Sequence, residues 1–193
     1  MNSVTLQLKE SKITEGNRTR MGAKQQGADQ TENRWLTIPR TLCFVMNEDD
    51  VLLMKRASTR RVFPNSYNGL GGHIERDETP IEGAIREIKE ESGIDVDDIF
   101  LCGTHMIDTG QTTGILLFTY KAFTQQRNFV EDKREGTLHW VHQADALRLD
   151  LVEDLPLILP RVFEAEADNN PYNVHVSYDE NDQILMKFTD DRK

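Results

Sequence analysis

Apolar side chains gather in this chain from Trp35 onward, and they follow two rhythms. Continuous or alternating apolar runs at Trp35 to Met46, Val51 to Arg56, Phe100 to Thr109, Ile115 to Phe123 and His139 to Val141 predict strands. The polar turn Asn47-Glu48-Asp49-Asp50 makes the first two a hairpin, and the turn at Gly110 to Gly114 does the same for the next pair. Val174 to Tyr178 and Ile184 to Phe188, around Asp179-Glu180-Asn181-Asp182, predict a terminal hairpin. The slower rhythm marks helices: one just after Thr79, a helical connection from Gln143 through Leu149, and an apolar-periodic helix from Leu155 to about Ala167, closed by Pro171.

The helix after Thr79 has the best-defined ends. Thr79 caps it, Pro80 fits a first turn that needs no amide donor, and Glu82 completes a capping box. Gly93 is the stop. Ile81, Ala84, Ile85 and Ile88 share one face and are expected to pack into a core. Glu87, Glu90 and Glu91 then fall along one flank. Such like charges repel by a few tenths of a kcal/mol per pair, roughly, so something positive is expected among them. Gly83, at a cost of about 1 kcal/mol relative to Ala, leaves room for a ligand on the carboxylate side. The plainer alternative is a solvated glutamate row with an incidental glycine.

Composition narrows the rest. Lys plus Arg total 23 against 33 Asp plus Glu, a formal charge of -10 in 193 residues. A nucleic-acid polymer would be repelled, while a small phosphorylated substrate stays compatible once divalent ions mask its charge. Residues up to about Arg34 are polar and poor in apolar side chains, which predicts a mobile arm at 1–34 ahead of one domain at 35–193. Alternation of Val4, Leu6 and Leu8 leaves a short strand open there, and Asn17-Arg18-Thr19 matches a glycosylation sequon that means little without a secretion signal. Cys43 and Cys102 lie in apolar runs, read as buried inert thiols in a reducing cytoplasm. No run is long enough to span a membrane. His139 and His142 are too close along an extended segment to converge on zinc.

The stretch Gly72 to Ile94, GHIERDETPIEGAIREIKEESGI, resembles the signature of the Nudix hydrolase family. The family pattern is Gly, five residues, Glu, seven residues, then Arg-Glu-apolar-any-Glu-Glu-any-Gly-apolar. Gly72, Glu78, Arg86, Glu87, Ile88, Glu90, Glu91, Gly93 and Ile94 meet it without departure. At ordinary residue frequencies a chance match in a chain this long is on the order of 10⁻⁸. The resemblance implies an α+β fold, an α/β/α sandwich with a mixed β-sheet between helices.

It also implies phosphoanhydride hydrolysis. Clustered carboxylates select hard cations, magnesium first and manganese second, which neutralise charge on the phosphoryl group while a water held among the carboxylates attacks phosphorus. By resemblance, Glu87 and Glu91 are direct metal ligands, with Glu90 a ligand or the group that orients water. Arg86 holds Glu87 or Glu78 in place, the Gly71 carbonyl is a further ligand, and Glu135 is a carboxylate supplied from outside the signature. Which glutamate is the general base stays open. Arg56, Arg60 and Arg61, in and beside the loop Ala57 to Tyr67, either contact substrate phosphates or face water.

Tyr67-Asn68-Gly69-Leu70-Gly71-Gly72-His73 resembles the Trp-Asn-Gly-Phe-Gly-Gly-Lys run of the oxidised purine nucleoside triphosphate (8-oxo-dGTP) diphosphatases. Glu153-Asp154 stands where that branch reads the purine, either so employed here or solvated. Asn68 is then expected to bond the base, with Tyr67 stacking on it or lining the pocket. Tyr67, His73 and Glu153 replace the branch's Trp, Lys and Asp, which leaves base preference open. The ADP-ribose branch has a proline about sixteen residues past its signature; Gly110 stands there. Hydrolysis of a purine nucleoside triphosphate to monophosphate and pyrophosphate is the leading expectation. Hydrolysis of another nucleoside diphosphate derivative, or nucleotide sensing without cleavage, stays open, as does oligomeric state.

Overall fold

Strand β1, Leu36–Asn47, is the spine of the domain, because its second half is buried on both faces. In the computed structural model Leu42, Phe44 and Met46 pack into one core cluster, and Cys43 and Val45 into another. β2, Asp50–Arg56, repeats the division, with Val51 and Leu53 on one side and Leu52 and Met54 on the other. Strands buried on both faces read as continuous apolar runs rather than alternation, as both segments do.

The structure describes residues 26–28, 31–130 and 134–189. The strand expected near Val4 to Leu8, the sequon at Asn17 and residues Glu131 to Lys133 lie outside them. The chain divides into two units, Met1–Arg34 and Trp35–Lys193. In the first, the described residues show a turn in which the Arg34 amide donates to the Thr31 carbonyl at 3.1 Å.

Among the described residues of the second unit, eight strands form one mixed sheet. β1 and β2 pair antiparallel, as the turn predicts, and β1 pairs in parallel with β5, Thr113–Phe123. β4, Asp98–Ile107, is antiparallel to β5 and parallel to β7, Tyr172–Tyr178, which forms the terminal hairpin with β8, Ile184–Phe188. β6, Gly136–His142, lies along the whole of β2, and a short β3, Tyr67–Asn68, joins the end of β2. No sequence signal marked β3.

Helix α1, Pro80–Ser92, covers one face through Ala84 and Ile88. Helices α2, Gln143–Ala146, and α3, Leu155–Glu164, cover the other through Ala146, Leu155, Ile158, Leu159 and Val162. The expected mixed sheet between helices is the observed architecture. α3 stops at Glu164, short of Ala167, where Lys121 Nζ donates to the Phe163 and Ala165 carbonyls at 2.9 and 3.0 Å and satisfies the orphan acceptors of its last turn.

Candidate functional site

Both ends of α1 form as its sequence predicts. Thr79 Oγ1 accepts from the Glu82 amide, the Glu82 carboxylate accepts from the Thr79 amide, and Gly93 takes the left-handed conformation at φ 69°. The expected buried face is corrected. Ala84 and Ile88 are fully buried, but Ile81 and Ile85 are 38% and 41% exposed, while Gly83 and Ser92 are buried. The helix is rolled toward its carboxylates, and the reason is polar: Glu91 reaches past the apolar stripe and accepts from the Gly71 amide at 2.8 Å.

That amide is presented by an unusual stretch of backbone. Leu70 to Ile74 runs beside β1, with the Cys43 and Thr41 amides donating to the Leu70 and Gly72 carbonyls at 2.6 and 2.8 Å. Gly71 interrupts the ladder at φ 133°, and a Cβ there would stand 2.3 Å from the Thr41 carbonyl oxygen. Only glycine fits this position. At Gly72 a Cβ would meet a Glu87 carboxylate oxygen at 2.6 Å, so that side chain lies against bare backbone. The room beside Gly83, expected for a ligand, is taken by the Glu78 carboxylate, 2.9 Å from where a Cβ would sit.

Arg86 is the positive group among the glutamates. Its Nε and Nη2 donate to the two oxygens of Glu78 at 3.0 and 2.7 Å, and Nη1 donates to Glu87 at 2.9 Å and Glu90 at 3.1 Å. Nη2 also donates to the His73 carbonyl at 2.9 Å, tying the helix to the glycine segment. The guanidinium, aided by the Glu75 amide, holds Glu78 at about 2, well below the usual carboxylate range. Glu91 is the contrasting case. Burial first, then the charges of Glu87 and Glu135, push it up to about 7 against the lowering effect of the Gly71 amide and Arg56.

Glu135 is held from elsewhere. Arg60 Nη1 pairs with it at 2.7 Å, and its carbonyl accepts from the Ala57 amide at 3.0 Å. Arg56 donates from Nε to the Val62 carbonyl at 2.9 Å, and burial and neighbouring Arg60 lower its pKa.

A cavity of about 870 Å³ joins these groups to others far along the chain. Gly71, Glu91, Glu135, Arg56 and Arg60 border it, as do Asn68, Glu153 and Asp154. Asp154 precedes α3 without a side-chain cap bond, and burial raises its pKa. Tyr67 is not among the residues bordering the cavity: its ring meets His139 edge-on at 5.6 Å and packs beside the core cluster that includes Leu42 and Val152. Glu78 and Glu87 lie behind the glycine segment on Arg86, and Glu90 is 61% exposed. Sequence reasoning missed Thr41, whose Oγ1 accepts from the Gly72 amide at 3.4 Å, and Arg40, which also borders the cavity.

Among the described residues no three His, Cys, Asp or Glu side chains are arranged to hold a metal ion. Arg86 accounts for this in part, since it engages an oxygen of each of Glu78, Glu87 and Glu90. The donor chemistry nevertheless fits a hard cation: Glu91, largely buried, feels the charge of Glu87 and Glu135 with Arg56 as its one opposing cation.

Comparison with known proteins gives a consistent picture. A family model described as the NUDIX domain matches residues 36–162. Curated relatives share shorter stretches: m7GpppN-mRNA hydrolase NUDT17 of Bos taurus is 44% identical over 48 residues, 25% of this chain and 16% of the relative. The Homo sapiens protein of the same name is 35% identical over 68 residues, 35% of this chain and 21% of the relative. The matched stretches thus span about a fifth or less of those relatives' length. Among solved structures, the mMutator MutT protein from Bacillus halodurans is 25% identical with a TM-score of 0.67, covering 80% of this chain and 99% of its own. The NUDIX domain of Shewanella oneidensis NrtR, complexed with ADP ribose, shares the fold at 18% identity and a TM-score of 0.58, covering 75% and 98%.

Proposed function

The chain belongs to the NUDIX domain family, and from that membership we propose that it hydrolyses a nucleoside diphosphate-linked phosphoanhydride. The substrate class we assign is a purine nucleoside triphosphate, oxidised purines included, cleaved to monophosphate and pyrophosphate. One observation carries this reading: a single cavity is bordered both by Glu91, Glu135, Arg56 and Arg60 and by Asn68, Glu153 and Asp154. The first set suits phosphates and the cation that accompanies them. The second suits the donor edge of a base.

Glu87, Glu91 and Glu135, with the Gly71 carbonyl and Glu90, would hold a divalent cation, magnesium first and manganese second. Bound there, it supplies charge neutralisation on the phosphoryl oxygens. The chain's own residues do the rest. Arg86 fixes Glu78 and Glu87 and steadies the glycine segment through the His73 carbonyl. Glu90, the most exposed of Arg86's partners, has solvent beside its carboxylate and would orient a water. Arg56 and Arg60 face the cavity where phosphate oxygens would lie, and Arg60 already bridges to Glu135. Asn68, Glu153 and Asp154 orient the base.

Cys43 and Cys102 are free and buried, which suits a reducing compartment, and the proposal places the enzyme in the cytoplasm. Among the described residues no helix is long and apolar enough to cross a membrane. Catalysis is assigned to residues 35–193, with 1–34 an appended arm.

The test is pyrophosphate and phosphate release with magnesium across normal and oxidised nucleoside triphosphates, ADP-ribose, NADH, dinucleoside polyphosphates and an m7GpppN dinucleotide. The expected result is pyrophosphate and monophosphate from purine triphosphates. Cleavage of ADP-ribose or the capped dinucleotide alone would move the substrate class toward the partners named for the structural and curated relatives. Nucleotide binding without product would overturn the enzyme reading in favour of a sensor.

A further inference from the structure

On the face of β1 that packs toward α3, the residues in phase are Leu36, Ile38, Arg40, Leu42, Phe44 and Met46. One of them is charged. Arg40 interrupts an apolar row where it turns into the core, and a break in local consistency of this kind is where function is expected to be found.

The guanidinium is also incompletely bonded. Arg40 Nε is buried and has no hydrogen-bond partner among the described residues. The other two arginines bordering the cavity differ: Arg56 donates to the Val62 carbonyl, and Arg60 pairs with Glu135. Buried donors in native proteins are nearly always paired, and methionine or leucine at this position would remove the cost. An arginine with Nε buried and unpaired here therefore calls for an acceptor that arrives with a ligand.

The surroundings say what kind of ligand. Leu42 follows Arg40 in phase, Leu117 is its partner across β5, and both border the cavity with Ile115 and Val152. That is an aliphatic wall suited to a flat ring. Asp154 and Glu153 border the same cavity with acceptor oxygens. A ligand that satisfies all three presents donors to the carboxylates and acceptors to the arginine. A 6-keto purine does so, with O6 and N7 as acceptors and N1–H as donor; a 6-amino purine places a donor at C6.

We infer that Arg40 is a specificity-determining residue whose guanidinium donates to O6 of a purine base, and to N7 as well where the base is not oxidised, selecting a 6-keto over a 6-amino purine. This rests on the reading of the cavity as a purine nucleotide site and adds the residue that chooses the base. Arg40 takes no part in bond cleavage.

Binding of GMP, IMP and AMP to the full chain by titration calorimetry, without metal, tests it apart from hydrolysis. The wild type should prefer GMP and IMP to AMP by about tenfold or more. IMP keeps the keto oxygen and N1–H and lacks the 2-amino group, so GMP against IMP reads the 2-amino contact of the acidic pair, and the Arg40 variants isolate the arginine's share of the keto preference. Arg40→Met should collapse that preference about tenfold, and its ligand-free melting temperature should equal or exceed the wild type's, because an unsatisfied donor is gone. Arg40→Lys keeps the charge without the fork and should also lose the preference.

Equal loss for all three nucleotides, or full rescue by lysine, would assign Arg40 to the phosphate and overturn the inference. So would a large drop in melting temperature for Arg40→Met, an unchanged preference, or a wild type that binds none of the three. Keto preference in a protein that releases no pyrophosphate would count against the hydrolase reading and leave Arg40's role standing. Pyrophosphate release without keto preference would do the reverse.

Discussion

Arg86 grips Glu78 with a two-point fork, Nε and Nη2 against the two carboxylate oxygens at 3.0 and 2.7 Å, eight residues apart in sequence. The same guanidinium reaches Glu87, Glu90 and the His73 carbonyl. A lysine could keep the charge but not this geometry. Arg86→Lys should therefore lower kcat/KM about 10- to 100-fold, the range for removing a group that orients metal ligands. Steady-state kinetics with magnesium checks this, and circular dichroism should show the fold unchanged. Wild-type activity in the variant would show that the fork does not organise the site.

Glu91 is the ligand candidate that the protein itself holds least comfortably, buried and pushed up to about 7 beside Glu87 and Glu135. Glu91→Gln keeps an oxygen for the Gly71 amide and removes the charge. Turnover should fall by roughly a hundredfold or more and manganese binding, read by electron paramagnetic resonance, should weaken. The metal-free melting temperature should hold or rise as like-charge repulsion is relieved. Glu90→Gln should also remove most turnover with the fold intact. Near-normal rates with magnesium in both variants would dismantle the carboxylate assignment.

What was legible beforehand divides by range of interaction. The caps of α1 and the hairpin at Asn47 to Asp50 are local, written in neighbouring residues. The roll of α1 was not, because Ile81 and Ile85 are as apolar as Ile88 and the bonds from Glu91 to Gly71 and from Arg86 to His73 are what tie the carboxylate side to the glycine segment. The place of Tyr67 was hidden for a related reason: it is set by a two-residue strand's pairing with Met54 and Lys55. Arg40 did leave a signal, a charge in the apolar phase of β1, but its value emerged only once α3 was seen to cover that face.

Gly71→Ala tests whether backbone, not side chain, builds the cavity rim. The substituted Cβ would meet the Thr41 carbonyl oxygen at 2.3 Å, and φ of 133° is unfavourable for any L residue. Both penalties fall on backbone that cannot step aside cheaply. A loss of at least about 2 kcal/mol in urea unfolding is expected, with activity falling even where the variant is still folded. A variant as stable as wild type would mean the segment can be redrawn without strain.

His105 supplies a pH dependence independent of the candidate site. Its ring is fully buried, Nε2 lies 3.0 Å from both the Tyr172 and Thr119 hydroxyls, and burial lowers its pKa to about 4. The unfolded chain, near the ordinary value of about 6.5, binds a proton that the folded chain resists. Between those values the unfolded state holds more protons, so stability falls as pH drops from about 6.5 toward 4. With the folded value at about 4, the full loss is on the order of 3 kcal/mol. Carboxylates such as Glu78, held at about 2, lose their contribution mainly below the ordinary carboxylate range. Glu91, raised to about 7, contributes with the opposite sign in the same window. The His105 share is therefore read as the difference between wild type and His105→Gln in urea unfolding at pH 7.5, 6 and 5, a difference that should move against the wild type as pH falls. An identical slope in both proteins would place the acid sensitivity elsewhere in the domain.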